Sequence, residues 1–305
     1  MLDAVIDVSV EYARHLLGAV VNLHALVPKG HPSSRILGNE RMGSGVVVDA
    51  AGLVLTVNYV VMGAHTVDVA FLKGRRVKAE VVAQDFEIGL AVVRIKRQGL
   101  TAIPLADGEL SCGDPVVAVA STGPQERRLG GGLVTYLGEF EAYWEYLLDH
   151  GIVTSAQNPG FGGGGLFSMT GTLLGIVYLN LNEIVRCSLS IPVDNYREHA
   201  SELLRYGRVV SRPKRAWLGV FATAVDEGVV IAGIVPEGPG DRGGLQEGDV
   251  IVSLNAEEVP SRKDLYLTLW RHGPGERLTL EVMRDKRLRR LEVTTGDRAE
   301  FFKQI

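Results

Sequence analysis

Between Asn158 and Leu166 the chain reads Asn-Pro-Gly-Phe-Gly-Gly-Gly-Gly-Leu, with four consecutive glycines from Gly162 to Gly165. Each glycine costs roughly 0.5–1 kcal/mol relative to alanine in regular structure, so such a run needs a reason. Glycine-rich backbone cradles phosphates, forms flexible linkers, or lets the main chain approach a ligand closely. The other residues able to do chemistry are dispersed. His15, His24, His31, His65, His150, His199 and His272 show neither HxH nor HExxH spacing, and solvated loop or helix positions are their default reading. Cys112 and Cys187 form no CxxC pair and cannot make a disulfide framework; one bridge between them is allowed but not implied. No metal or other cofactor is expected.

The elements that must position the glycine run are mostly strands. From Gly43 onward, short β-branched stretches alternate with turns every 8–12 residues or so, the rhythm of an antiparallel barrel or sandwich. DAAG (49–52) and LKGRR (72–76) read as hairpin turns. DNYREHASELLRYG predicts a helix that Asp194 caps at its start and Gly207 at its end. The aromatic-rich FEAYWEYLLDHG (140–151) reads either as an amphipathic helix packed on the barrel or as a partner-binding segment. Residues 208–215 are charged, contain a proline and read as a linker to a second block of about ninety residues, a plausible independent unit.

With 305 residues, 46% hydrophobic and 22% charged, the composition is that of an ordinary globular protein. A net charge of −4 without a basic stripe gives no reason to expect nucleic acid as a partner. No stretch approaches the ~20 apolar residues a membrane span needs. The N-terminal segment is a poor signal peptide, because Asp3, Asp7, Arg14 and His15 interrupt it. It fits either a cytoplasmic chain or a mature form supplied with a new Met1.

The second block resembles a PDZ domain of the type carried by bacterial HtrA proteases, through WLGV (217–220), PEGPGDRGGLQEGDVIVSLNAEEV (236–259) and the helix after Ser261. The resemblance implies that the backbone amides of Leu218, Gly219 and Val220 form a nest for a peptide's C-terminal carboxylate. It also implies that the strand from Val220 pairs with the ligand and that Leu265 and Leu269 line its side-chain pocket; helix spacing alone would make these leucines core. The first block resembles the trypsin-like domain of the same family, through GSGVVVDAAGLVLTVNYVVMGA (43–64), VVAQDFEIGLAVVRI (81–95), NPGFGGGGL (158–166) and CSLSIPVDN (187–195). The expected architecture is therefore mainly β, a trypsin-like double β-barrel (1–207), a linker (208–215), an α/β PDZ domain (216–298) and a tail (299–305).

Where that family has its base histidine, orienting aspartate and nucleophilic serine, this chain has Tyr59, Gly89 and Gly162. A tyrosine with pKa near 10 is a poor base at neutral pH, and glycine has no side chain to attack with. Gly160 and Gly162 keep amides that could face an oxyanion, and Phe161 could fill the former cleft. The residues thus predict a chain that is not an enzyme: a pseudoprotease that binds peptides or protein C-termini through its PDZ groove, as scaffold or regulator. The alternatives are an endopeptidase with a relocated catalytic set and a regulatory subunit of an active paralogous protease. The resemblance further implies a homotrimer through the N-terminal segment, with Tyr12 as a contact, and a bacterial periplasmic or envelope location.

Overall fold

The computed structural model describes residues 2–303 except 73, 75, 98, 183–185 and 226–227, with backbone alone for 2–9. The chain divides into two compact units. One comprises residues 1–29, 37–139 and 149–209; the other comprises 30–36, 140–148 and 210–305.

The first unit opens with helix α1 (Leu2–Ala19) and contains two closed six-stranded barrels. In the first, strands β1 (Val20–Leu26), β2 (Glu40–Val47), β3 (Leu53–Val57), β4 (Thr66–Ala70), β5 (Arg76–Asp85) and β6 (Leu90–Ile95) close in the order β1-β2-β3-β6-β5-β4. In the second, β7 (Pro115–Gly123), β8 (Glu126–Ala142), β9 (Tyr146–Thr154), β10 (Gly165–Ser168), β11 (Leu173–Leu181) and β12 (Cys187–Pro192) close as β10-β11-β12-β9-β8-β7. The β-branched runs supply the barrel cores: Val46, Val54, Leu55, Val92 and Ile95 in the first, Val119, Leu166, Ile176 and Ile191 in the second, are buried. Closure leaves neither barrel an edge strand to protect. The DAAG turn joins β2 to β3, held by the Gly52 amide on the Asp49 carbonyl. The turn expected at 72–76 falls partly outside the described residues. A short helix, α2 (Pro32–Leu37), precedes β2, and another, α3 (Asn58–Val61), follows β3.

Helix α4 (Asp194–Tyr206) ends, as expected, on Gly207 in the left-handed conformation (φ 73°). Its N-terminal detail differs: the cap position is Val193, and Asp194 lies in the first turn, where it pairs with Arg197 at 2.5 Å.

The second unit carries a sheet in the order β13-β14-β15-β17-β18: β13 (Val220–Val225), β14 (Gly228–Ile234), β15 (Val250–Leu254), β17 (Arg277–Arg284) and β18 (Arg287–Thr294), with β16 (Glu257–Glu258) paired to β15. Helices α5 (Pro239–Arg242), α6 (Arg262–Leu269) and α7 (Arg298–Phe301) complete it. Ser261 starts α6 by accepting from the Asp264 amide. The core runs from Ala216 to Val293 and is wholly the unit's own.

One expectation changes, and two stretches gain local detail. The segment 140–151 is strand, turn and strand rather than helix; Glu145 has φ 54°, a left-handed residue that interrupts any helical run, and its aromatic neighbours favour strand. Within the stretch read as a linker, Lys214 pairs with Asp297 at 2.6 Å and the Arg215 guanidinium stacks over Trp270. The start of the segment read as a tail (299–305) is helical, in α7. Asp297 caps α7, and Phe301 and Phe302 pack on Trp217 with ring centroids 5.0 and 5.6 Å away.

Candidate functional site

The residues singled out in the first unit do come together. Tyr59 lies on helix α3, directly after β3, and the buried Arg41 fixes that helix by donating from Nη1 to the carbonyls of Tyr59 (2.8 Å) and Met62 (3.0 Å). Burial lowers the Arg41 pKa to about 10. Tyr59 Oη donates to the Tyr178 carbonyl at 2.9 Å, and the two rings meet edge to face at 5.6 Å. Desolvation pushes the Tyr59 phenol above its ordinary range, with the neighbouring Tyr178 adding to the effect. At neutral pH it is a hydrogen-bond donor and not a base.

Gly89 and Gly162 sit against the same tyrosine pair. A Cβ at Gly162 would lie 1.8 Å from Tyr59 Oη, and one at Gly89 would lie 2.7 Å from the Tyr178 ring. The volume that side chains at positions 89 and 162 would need is therefore occupied by Tyr178 and Tyr59. Tyr178 was not picked out from the sequence: it lies 119 residues from Tyr59 and belongs to no motif.

The glycine run is packed backbone, neither linker nor phosphate cradle. The Gly162 carbonyl accepts from the Ser44 amide (2.8 Å), the Gly163 amide donates to Val177 (2.8 Å), and the Phe161 amide donates to Ser121 (2.9 Å). The Gly160 amide turns toward Asn158 Oδ1 at 3.4 Å. Phe161 is half-buried. Serines that reach this loop include Ser44 and Ser121, both fully buried and hydrogen-bonded to one another, with Asn22 donating to Ser121, and Ser188, which accepts from the Asn158 amide. Ser155 and Ser168 bond locally instead, to Leu133 and to Thr170 and Thr172. Tyr12, expected as a contact between subunits, donates from Oη to the Ser168 carbonyl within the unit at 2.6 Å.

The second unit holds the better-formed site. Gly219 adopts φ 78°, which turns the amides of residues 218–220 to one side, and a Cβ there would press on the Trp217 ring at 3.1 Å. All three amides converge on a single carboxyl group, the side chain of Glu145. Leu218 donates to Oε2 at 3.0 Å, while Gly219 and Val220 donate to Oε1 at 2.6 and 2.9 Å. The nest inferred for a C-terminal carboxylate thus holds an internal one. Glu145 is itself almost fully buried.

The rest of segment 140–148, which belongs to this unit, follows the groove. Ala222 on β13 donates its amide to the Tyr143 carbonyl at 2.6 Å. Tyr266 Oη on α6 donates to the Ala142 carbonyl (2.7 Å) and accepts from the Glu145 amide (3.0 Å). Arg262 pairs with Glu141 at 2.9 Å, and Arg298 donates to the carbonyls of Trp144 and Glu145. Burial raises the Glu145 carboxyl above the usual range, against the pull of Arg298 and the three amides. Leu265 and Leu269, which the resemblance places along the side-chain pocket, are fully buried members of the core cluster, and Tyr266 between them makes the hydrogen bonds to segment 140–148.

The geometry defines a trypsin-like double barrel with glycine and tyrosine at its chemical centre, and a PDZ-type sheet with a built carboxylate nest. Comparison agrees on the class. A trypsin-like peptidase domain matches residues 43–176 and a PDZ domain matches 216–295. The "Probable periplasmic serine endoprotease DegP-like" of Halomonas elongata is 29% identical over 288 residues, covering 88% of this chain and 58% of its own length. Its counterpart from Hahella chejuensis is 31% identical over 261 residues, covering 79% of this chain and 54% of its own length. Among solved structures, the HtrA-type protease AlgW with tripeptide matches with a TM-score of 0.57 at 27% identity, covering 94% of this chain and 97% of that one.

The chain belongs to the HtrA family. It spans little more than half the length of the curated relatives it matches. These relatives correct the expectation, drawn from Tyr59, Gly89 and Gly162, that the chain is not an enzyme: they are named serine endoproteases, which points to an enzyme. Three replaced side chains do not of themselves show lost activity.

Proposed function

We propose that this HtrA homologue captures the free C-terminus of a peptide or partner protein in its PDZ groove. The observation that carries the reading is the convergence of the Leu218, Gly219 and Val220 amides on one carboxyl group, with β13 offering the Ala222 amide to the same segment. Three aligned donors are the chemistry a terminal carboxylate requires, and the edge of β13 supplies sequence-tolerant backbone pairing. Capture would serve to hold or recruit the partner as a scaffold or regulator. A periplasmic location, a homotrimer and mixed assembly with an intact paralogous protease are part of the same proposal; among the described residues no helix is long and apolar enough to cross a membrane.

The test is selection from a displayed library of random C-termini on the full chain, followed by fluorescence polarisation of each selected peptide with a free and an amidated terminus. Amidation should weaken binding at least tenfold. Equal binding of the two forms overturns the reading.

The names of the relatives support a second reading, endopeptidase activity. Incubation with unfolded casein alongside a fluorophosphonate probe decides it. Cleavage together with labelling, both surviving repurification, makes the chain a peptidase and maps its nucleophile, which is a residue other than Gly162. Neither signal after overnight incubation sets that reading aside.

A further inference from the structure

The PDZ groove already has an occupant. Residues Glu141 to Glu145 run along it as a C-terminal peptide would, and the Glu145 side chain ends in the nest where a main-chain carboxylate would end. The alignment is register-specific: the Tyr143 carbonyl, two residues before Glu145, accepts from Ala222, two residues after Val220. Glu145 then takes a left-handed backbone (φ 54°), which carries the chain out of the groove into β9 where a true C-terminus would simply stop. That conformation is unfavourable for a residue with a Cβ, and the surrounding contacts over-determine it. Arg262 holds Glu141, Tyr266 holds Ala142 and the Glu145 amide, and Arg298 holds the Trp144 and Glu145 carbonyls.

We infer that segment 140–148 is an intramolecular ligand of the PDZ groove, with the Glu145 side chain as its pseudo-C-terminus, and that external C-termini bind only by displacing it. The inference rests on the proposed capture of peptide C-termini and adds the regulation of that site. A groove occupied by its own chain shows an apparent Kd raised in proportion to the fraction of time it is closed. An external ligand would thereby do two things at once, filling the nest and releasing the tip of the β8–β9 hairpin.

Glu145→Gln tests this in the full chain. Glutamine keeps the size of the side chain, but its NH₂ would face one of the three amide donors, so it cannot satisfy the nest. The first readout needs no ligand: the ¹⁵N–¹H resonances of Leu218, Gly219 and Val220 should move more than those of the barrels. The second uses fluorescein-labelled Glu-Phe-Glu-Ala-Tyr-Trp-Val with a free C-terminus, with its amide as control. The variant should bind the free-acid probe about 10–100-fold more tightly than the unaltered chain, and neither should hold the amide well.

Unmoved nest resonances, or equal affinities of the two proteins for the probe, overturn the inference. Moved resonances with no probe binding by either protein overturn the capture of C-termini, and competition with it, while leaving Glu145 as a structural clasp. Hydrogen exchange on the unaltered chain guards against a misfolded variant. With probe in excess, residues 140–148 should exchange faster while 216–221 stay protected; unchanged exchange at 140–148 with probe bound counts against displacement.

Discussion

At the scale of single residues, Tyr59 and Glu145 each sit where another group would be expected. Tyr59 fills the space that a side chain at Gly162 would need, so Gly162→Ser should strain the packed loop. Overpacking of this kind costs about 1–3 kcal/mol. We expect a fall of several degrees in the calorimetric Tm of the first unit, and a much smaller further fall when Gly162→Ser is added to Tyr59→Ala, which removes the clashing hydroxyl. An unchanged Tm in the single variant would contradict the clash. Glu145 makes a prediction in pH. Burial raises its pKa, so the folded chain holds that proton more tightly than the unfolded chain. The stabilisation this gives is full below the unfolded carboxyl pKa and is lost as pH rises through the folded value. Arg298 and Tyr266 face the group from α7 and α6, and Glu141, paired with Arg262, lies in its own segment. The Tm of the unaltered chain minus that of Glu145→Gln should therefore shrink as pH rises above the ordinary carboxyl range of about 4; a difference that grows with pH would reverse the sign.

At the scale of elements, α6 and β13 act as the two walls of the groove, and one side chain ties the occupant to α6. Tyr266→Phe removes the hydroxyl that bonds both Ala142 and Glu145. Loss of a buried hydroxyl that satisfies two backbone groups should cost about 1–3 kcal/mol of stability, seen in chemical unfolding, and should loosen the segment in hydrogen exchange. Exchange at 140–148 as slow as in the unaltered chain would mean that the hydroxyl does not hold it. Much of this architecture was legible beforehand. The strands announced themselves through β-branched runs between turns, α4 through its terminal Gly207, and the nest through WLGV. Two things were not. Tyr178 lies far from Tyr59 in sequence and has no spacing that marks it. Glu145 lies 73–75 residues from the amides it fills, and in FEAYWEYLLDHG it looks like any acidic residue on a helix face. Leu265 and Leu269 were at the right turn of the right helix, yet helical period alone cannot tell a groove wall from a core, and here the core has them.

At the scale of the whole molecule, the second unit owns a complete hydrophobic core between Ala216 and Val293 but borrows residues 140–148 from a distant stretch of chain. A fragment of residues 208–305 should fold on that core, as its size and closed sheet allow, with its nest open. It should bind the free-acid probe more tightly than the full chain does, and equal or weaker binding by a folded fragment would count against the borrowed ligand. The borrowing also has a consequence in time. On the ribosome the hairpin carrying Tyr143, Trp144 and Tyr146 is finished long before α6 and its Tyr266 exist. At ordinary synthesis rates the gap is on the order of ten seconds. During that interval an aromatic turn with a buried-in-waiting carboxylate stands unclaimed at the tip of a newly made barrel. The nascent chain is thus most open to chaperones, and to pairing with another copy of itself, after its first unit is made and before its second.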